Sequence, residues 1–317
     1  MVGKRLLGLA VASAIGVALV GYRTDPLMSS TTIASATKVI ANVGSALSLA
    51  RDPVSTPPES LTGQIETRTF WSASLGRTMP YNIYLPPGYA SGSREYPTVY
   101  LLHGMAASDR QWEDLGIAQA ADRLIDGGEI APVIIVMPEG ESAYWVDHAT
   151  DGQKWGRYTA VDVVNDVDAN FRSIARQRSR AIGGLSMGAH GALQLALNYP
   201  GEFAAVGAHS LVLRRFGSAP SYFGTAAEFA ARDPMQIVKK NGPAGCSFAL
   251  WIDIGAGDPW ASTATQFDGE LTSLGIKHQW HLWAGDHSAA YWSAHLDDYL
   301  RFYNSSLSSR APRSSLS

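Results

Sequence analysis

Short, continuously apolar segments alternate with helical ones along the chain, and this alternation limits the possible folds more than any other feature. "YPTVYLLHG" and "APVIIVMPEG" are rich in β-branched and aromatic residues and lack polar alternation, which is typical of strands buried on both faces of a parallel sheet. Between them, "DRQWEDLGIAQAADRLIDGG" has helical spacing and ends in glycines. The pattern predicts a mostly parallel, doubly wound α/β sheet.

Later segments continue this alternation. "SRAIGGLS", "CSFALWIDIG" and "KHQWHLW" are predicted strands, and the helical segments around them are "TAVDVVNDVDANFRSI", "MGAHGALQLALNYP", "ATQFDGELTSLG" and "AAYWSAHLDDYLRFY". An antiparallel hairpin is predicted at the N-terminal side, in "GQIETRTFWSASLGRTMPYNIYLPP". With no internal repeat, we expect a single domain over residues 61–305.

Composition excludes several classes of protein. The 317 residues are 46% hydrophobic, enough for a large packed core, and a net charge of −3 gives no basic excess for binding nucleic acid. No cysteine or histidine cluster has metal-ligand spacing and no glycine loop is typical of phosphate binding, so we predict neither a metal nor a cofactor. Cys246 is the only cysteine, which excludes an internal disulfide.

The N-terminus predicts export. Lys4 and Arg5 precede the uncharged apolar segment "LLGLAVASAIGVALVGY", so residues 1–22 are interpreted as a signal peptide or a membrane anchor. Residues 23–60 are rich in Ser, Thr, Pro and Ala and are predicted to be a partly disordered linker, and residues 306–317 a disordered tail. We therefore expect a protein that is secreted or anchored to the cell envelope, with possible association with the membrane through the apolar segment.

Ser186 lies in "GGLSMGAHGAL", where a predicted strand turns into a helix. A Gly-x-Ser-x-Gly pattern arises by chance in about one chain in ten of this length, so the pattern alone is weak. At a strand-to-helix turn, however, Gly184 and Gly188 would remove side chains that collide, and the helix N-terminus would favour developing negative charge. The position therefore favours Ser186 as a nucleophile over an ordinary loop serine.

A serine nucleophile requires a histidine base and a carboxylate. Asp258, in "GAGDPW", and His287, in "AGDHSAAYW", each follow a predicted strand at the same edge of the sheet, in the order nucleophile, acid, histidine. Asp253 remains an alternative acid, since it lies in the preceding apolar run. Asp286 is disfavoured because it is adjacent to His287, and His103 is expected to shape its loop.

An oxyanion formed during attack on a carbonyl needs preorganised N–H donors. The backbone N–H of Met187 follows the nucleophile directly, and Met105 lies in the loop after the strand "TVYLL", where Gly104 would let backbone amides face the site. We predict these two amides as the oxyanion hole.

Three long segments resemble the esterase D and feruloyl esterase-like family of α/β-hydrolases, which is related to the secreted mycolyltransferases. They are "LGRTMPYNIYLPPGYASGSREYPTVYLLHGMAASDRQW", "SRAIGGLSMGAHGALQLALNYPGEFAAVGAHS" and "AGDHSAAYWSAHLDDYLRFY", within Ile65 to Tyr303. The resemblance implies an α/β-hydrolase fold with the triad and oxyanion hole named above. The chain departs from the family at Ala189 and His190, where many members have glycines, which we expect to alter the helix surface.

These observations favour a serine carboxylesterase that forms an acyl-enzyme. The alternatives are a secreted acyltransferase that acts on a sugar or lipid alcohol, and a noncatalytic binding protein on the same fold. The partner is expected to be a small-molecule or lipid or sugar ester, not nucleic acid. Trp145, Trp260 and Trp292 are candidate substrate contacts, and we expect the segment Leu211 to Lys240 to cover part of the cleft.

Overall fold

A single sheet of eight strands organises residues 61–308, the part of the chain that the computed structural model describes. The strands are β1 (Gln64–Ser72), β2 (Arg77–Leu85), β3 (Thr98–Leu102), β4 (Ile134–Pro138), β5 (Arg180–Leu185), β6 (Ala205–His209), β7 (Ala249–Gly255) and β8 (Gln279–Trp283). Their order across the sheet is β1-β2-β4-β3-β5-β6-β7-β8.

Only the N-terminal part of the sheet is antiparallel. β1 and β2 form a hairpin that Ser72 and Arg77 close, and β2 also pairs antiparallel with β4. All other neighbours are parallel. The predicted hairpin and the predicted mostly parallel sheet are both confirmed.

Helices connect the parallel strands and cover both faces of the sheet. They are α1 (Gln111–Asp114), α2 (Ile117–Asp126), α3 (Trp155–Arg157), α4 (Val164–Asn170), α5 (Met187–Asn198), α6 (Ala226–Ala230), α7 (Pro234–Asn241), α8 (Ala261–Ser273), α9 (Ala289–Ala294) and α10 (Leu296–Ser306), with a π-helical stretch (Tyr158–Val163) joining α3 to α4.

Burial explains why the sequences of the central strands lack an alternation of polar and apolar residues. Every residue of β3, β4, β5 and β6 is buried, whereas the edge strands β1 and β8 are partly exposed. Separate hydrophobic clusters pack against the two faces of the sheet. Central strands of this kind have no solvent face and therefore need no polar alternation.

Strand β6 was missed by the sequence analysis, although it lies between β5 and β7. Its sequence, "AVGAH", is dominated by small residues instead of the β-branched residues that mark the other strands. Small residues fit here because the Tyr303 hydroxyl would lie 2.1 Å from a Cβ added at Gly207. Close packing of a helix on this strand therefore removes the usual sequence signal.

The described residues bear on only part of the predicted organisation. The expected signal or anchor (1–22), the linker (23–60) and most of the tail lie outside them. The tail was expected to begin at residue 306, but the backbone N–H of Ser308 donates to the Arg178 carbonyl at 2.7 Å, so the chain still packs on the domain at that point. Across residues 61–308, no helix is both long and apolar enough to cross a membrane.

Candidate active site

The three predicted triad residues meet at the carboxyl edge of the parallel strands. Ser186, Asp258 and His287 follow β5, β7 and β8, respectively. The Nε2 atom of His287 lies 2.9 Å from the Ser186 Oγ atom, and its Nδ1 atom lies 2.6 Å from Asp258 Oδ2. This is the hydrogen-bonded chain in which a carboxylate orients an imidazole and the imidazole activates a hydroxyl.

Ser186 occupies a strained turn between β5 and α5. Its backbone has φ 58° and ψ −116°, a conformation that residues other than glycine rarely adopt. A Cβ added at Gly184 would lie 2.4 Å from the Gly188 backbone, and one added at Gly188 would lie 2.2 Å from the Leu102 carbonyl oxygen. The two glycines of the motif therefore allow the close approach of strand and helix that exposes the serine.

Backbone contacts fix the loops that carry the predicted acid and the predicted base. The Gly257 N–H donates to the Gly285 carbonyl at 2.8 Å, which joins the loop after β7 to the loop after β8. Asp258 has a fully buried side chain, and its Oδ1 atom accepts from the Trp260 N–H at 2.8 Å. Both carboxylate oxygens thus have partners, so the oxygen that faces His287 is held in place.

The two alternative carboxylates have other partners. Asp253 is completely buried, and its oxygens bind His209 together with the side chains of Trp251, Tyr291 and Tyr299. Asp286 instead accepts from the Ser288 hydroxyl, at the start of α9. The geometry therefore favours Asp258 as the partner of His287.

The predicted oxyanion hole has a backbone arrangement that suits it. Met187 is the first residue of α5, so its N–H is one of the first-turn donors without an intrahelical acceptor. The Gly104 N–H is already bound to the Gln111 side chain at 2.7 Å, and a Cβ added at Gly104 would lie 3.5 Å from the Ser186 Cβ. The next amide, Met105, is therefore the candidate second donor.

His103 shapes the loop after β3, which carries the predicted oxyanion donor, as its position predicted. The Gly140 N–H donates to its Nε2 atom at 2.9 Å, so the proton lies on Nδ1, which is 2.7 Å from the Gly104 carbonyl oxygen. The ring is buried and fastens the loop after β3 to the loop after β4. It has no contact with the triad that would make it a base.

The three candidate tryptophans differ in their burial and in their contacts. We expected Trp145 to border the substrate, but its side chain is completely buried because it packs under Gly140 and Gly191 and donates to the His103 carbonyl. Its position makes it a support for the loop and corrects that expectation. Trp260 alone of the three is partly exposed.

Trp292 packs against His287 and offers little surface to a substrate. Only 7% of the residue is exposed, and its indole N–H donates to the Ser210 Oγ atom at 2.9 Å. Its ring packs edge-on against His287, with centroids 5.2 Å apart. This contact limits rotation of the imidazole and helps to keep Nε2 directed at Ser186.

The Ala189-His190 pair is buried, which corrects the expectation that it alters the helix surface. Both residues are 0% exposed. Residues 211–240, which we call the cover segment, pack on His190 through Phe223 and Arg232. The His190 Nε2–H donates to the Arg232 carbonyl at 2.9 Å, and burial lowers the pKa of His190 to about 4. A neutral imidazole therefore connects the cover segment to α5.

Arg214 was not singled out by the sequence analysis, yet the structure places it beside the loop of Asp258. Its guanidinium lies over the Trp260 ring, 4.9 Å from the centroid, and its Nε–H donates to the Tyr144 hydroxyl at 2.7 Å. The only sequence signal was its place a few residues after β6, a strand that itself was not predicted. Within residues 61–308, no group of three or more His, Cys, Asp or Glu side chains is arranged to hold a metal.

Comparison with known proteins places most of this domain in one family. Residues 72–303 match the model of a family described as "Putative esterase". An esterase of Mycobacterium tuberculosis is 34% identical over 147 residues, which are 44% of this chain and 31% of that protein. An endo-1,4-beta-xylanase/feruloyl esterase of Xylanibacter ruminicola is 34% identical over 154 residues, which are 44% of this chain and 20% of that protein. This chain spans less than a third of the length of these relatives.

Solved structures share the fold. A ferulic acid esterase is similar with a TM-score of 0.70 at 24% identity, covering 77% of this chain and 98% of that one. An S-formylglutathione hydrolase from Agrobacterium tumefaciens is similar with a TM-score of 0.67 at 19% identity, covering 80% and 99%. These likenesses confirm the predicted α/β-hydrolase fold.

Proposed function

The chain belongs to the "Putative esterase" family, and from this membership we propose that it is a serine carboxylesterase that works through an acyl-enzyme. The observation that carries the proposal is the continuous hydrogen-bonded chain from Asp258 through His287 to Ser186, whose serine sits in a strained turn. Ser186 is partly exposed at the end of this chain, which distinguishes its hydroxyl from a buried structural one such as that of Tyr303.

In the first half of the reaction, Ser186 Oγ attacks the ester carbonyl carbon while His287 Nε2 takes the hydroxyl proton. Asp258 stabilises the imidazolium that forms and keeps its Nδ1–H directed away from the substrate. The carbonyl oxygen becomes an oxyanion that accepts hydrogen bonds from the Met187 and Met105 amides, each contributing roughly 3 kcal/mol to the barrier reduction. Collapse of this intermediate breaks the ester bond, and His287 returns the proton to the leaving alcohol.

The second half repeats these steps with water. His287 takes a proton from the water as its oxygen attacks the acyl carbon, and the same two amides bind the second oxyanion. Collapse releases the carboxylic acid and returns the proton to Ser186. The enzyme is thereby regenerated, and no cofactor takes part in this scheme.

The direct test replaces the nucleophile. We expect Ser186→Ala to reduce hydrolysis of 4-nitrophenyl acetate by about 10⁴-fold or more, since the acyl-enzyme cannot form, and to abolish labelling by a fluorophosphonate probe. Ser273→Ala is the matched control, because Ser273 is exposed on α8 and its hydroxyl only binds the Glu270 carbonyl. Full turnover or labelling in the Ser186→Ala protein would reject the proposal.

Acyl transfer is the second candidate, because a sugar or lipid alcohol can replace water at the same triad. The apolar segment from Leu6 to Tyr22, preceded by Lys4 and Arg5, favours an exported protein that is secreted or held at the cell envelope, where such acceptors occur. Incubation with an acyl donor and trehalose or glycerol distinguishes the two: a new ester indicates transfer, and free acid alone indicates hydrolysis. Fractionation of cells that produce the full chain tests the location.

A further inference from the structure

Arg214 presents a cationic group that no carboxylate of residues 61–308 pairs with in a salt bridge. Its Nε–H donates to the Tyr144 hydroxyl, and the plane of its guanidinium group lies near the Trp260 ring. Burial raises the pKa of Tyr144, so the phenol that binds Arg214 is neutral and leaves the positive charge uncompensated. The side chain is half-buried, and its remaining N–H donors are the ones that a ligand can use.

Contacts connect Arg214 to Asp258 and to the helix that follows Ser186. Through Trp260, one set of contacts reaches the Asp258 carboxylate, because the Trp260 N–H binds Asp258 Oδ1 at 2.8 Å. Through Tyr144, another set reaches the ring of His190, 5.4 Å away, which lies one helical turn after Ser186. Arg214 also follows β6, which lies between β5 and β7 and is parallel to both, so its loop leaves the sheet at the same edge as the loops of Ser186 and Asp258.

The Tyr144 hydroxyl is itself held firmly. Tyr144 is 1% exposed, has a positive φ of 54°, and packs edge-on against His190 and Phe223. Because this support is rigid, Arg214 is oriented before any ligand arrives, and little side-chain entropy remains to be lost on binding. A fixed, partly desolvated guanidinium without a counter-ion is a strong recognition element for an anion.

Next to Arg214 there is room for the group that carries the charge. Arg214 lines a cavity of about 410 Å³ together with apolar side chains of the cover segment, Phe229 and Met235 among them, and with Thr263 of α8. Arg215 and Asp233 line it as well, so the cavity has an apolar wall and charged groups of both signs, with Arg214 and Arg215 supplying the cations.

We propose that Arg214 binds a negatively charged group of the substrate near the scissile ester, so that the enzyme selects anionic esters, such as those bearing a carboxylate, over neutral ones of the same size. The inference rests on the proposed carboxylesterase function and adds a substrate class to it. The charged group can belong to the acyl part or to the alcohol part of the ester, and the experiment separates these sources.

Two matched pairs of esters provide the test. In the first pair, mono-4-nitrophenyl glutarate carries a carboxylate on its acyl part and 4-nitrophenyl pentanoate is its neutral counterpart. In the second pair, 4-acetoxybenzoate carries the carboxylate on its alcohol part and 4-acetoxybenzamide is its neutral counterpart. The quantity measured is the ratio of kcat/KM for the anionic and neutral members, after subtraction of uncatalysed hydrolysis. We expect the wild-type ratio for at least one pair to fall about tenfold or more in Arg214→Gln, as expected for loss of a hydrogen bond to a charged group.

Arg176→Gln is the matched control, because it removes the same charge from an exposed residue that precedes β5, at the edge of the sheet opposite Ser186. Its ratio should stay at the wild-type value. An unchanged ratio in Arg214→Gln overturns the inference, and so does an equal fall in Arg176→Gln, which would indicate general attraction by net charge.

The same data distinguish failure of the inference from failure of the proposed function. Hydrolysis of the neutral esters by wild-type protein but not by Ser186→Ala supports the esterase, in which case an unchanged ratio rejects only the role of Arg214. If neither neutral nor anionic esters are hydrolysed, the result rejects both the proposed function and the proposed substrate class.

Discussion

Asp253 lies 2.6 Å from the Nδ1 atom of His209, the same distance that separates Asp258 from the Nδ1 atom of His287. The two pairs differ in what lies beyond the imidazole. His209 Nε2 contacts the buried Tyr303 hydroxyl at 2.9 Å, whereas His287 Nε2 contacts Ser186. One carboxylate–imidazole pair therefore stabilises the interior beneath the nucleophile, and the other can perform proton transfer.

This difference predicts opposite effects of the same substitution. Asp258→Asn should lower kcat by about 10⁴-fold with little loss of stability, because an amide stabilises the wrong tautomer of His287. Asp253→Asn should lower the free energy of unfolding by about 3 kcal/mol with a much smaller effect on kcat, because four buried donors lose a carboxylate acceptor. Ester kinetics and urea unfolding of both variants provide the measurement, and the reverse pattern would identify Asp253 as the catalytic acid.

Gly188→Ala should disrupt the nucleophile turn. Its Cβ would lie 2.2 Å from the Leu102 carbonyl oxygen and 2.8 Å from that of His103, so the backbone has to move. We expect a loss of about 1–3 kcal/mol in stability, as for other overpacked sites. We also expect at least a hundredfold loss of kcat, because displacing the reacting atoms by this amount would remove about 3 kcal/mol of transition-state stabilisation.

Gly269→Ala is the control for that substitution. Gly269 lies within α8, and nothing lies within 4 Å of an added Cβ. Alanine should raise stability there by about 0.5–1 kcal/mol and leave hydrolysis unchanged. Equal effects of the two substitutions on kcat would show that the turn tolerates a side chain.

The stability of the protein should depend on pH through two buried groups with opposite signs. Burial lowers the pKa of His190 from 6.5 to about 4, so its contribution to stability is complete above pH 6.5 and is lost as the pH falls through 4. Burial raises the pKa of Asp233 from 3.8 to about 6, so the folded state binds that proton more readily and gains stability as the pH falls below 6. Each effect is on the order of 3 kcal/mol, and the two largely cancel.

Asp233→Asn should expose the contribution of His190. Asparagine keeps the N-cap bond to the Gln236 N–H of α7 but removes the titration. The variant should lose about 1 kcal/mol more than wild type between pH 7 and pH 5, measured by urea unfolding at each pH. Asp114→Asn removes an exposed carboxylate and serves as the control; parallel curves for all three proteins would contradict the prediction.

The sequence predicted those parts of the site that depend on local structure. Ser186, Asp258 and His287 each follow a predicted strand, and parallel strands bring their carboxyl ends to one edge. The motif glycines could be interpreted for the same reason, since strand and helix around Ser186 are adjacent in the chain.

Features that depend on contacts between distant segments were not predictable. The burial of Trp145 results from packing against Gly140 and Gly191, and the burial of His190 from its bond to Arg232. Neither side chain carries a sequence pattern that distinguishes an interior position from a cleft wall. Arg214 was missed for a similar reason, because its neighbours Tyr144 and Trp260 come from two separate loops.

The cover segment contributes no atom to the triad and is joined to the rest of the domain by contacts such as Arg214 with Tyr144, His190 with Arg232, and the Tyr222 hydroxyl with the Ser142 carbonyl. The sheet edge holds the reacting groups without it. Changes within the cover segment, at Arg214 above all, can therefore alter which esters are accepted while the groups that break the ester bond stay in place. In this fold, substrate choice and reaction chemistry can evolve at different rates in the same chain.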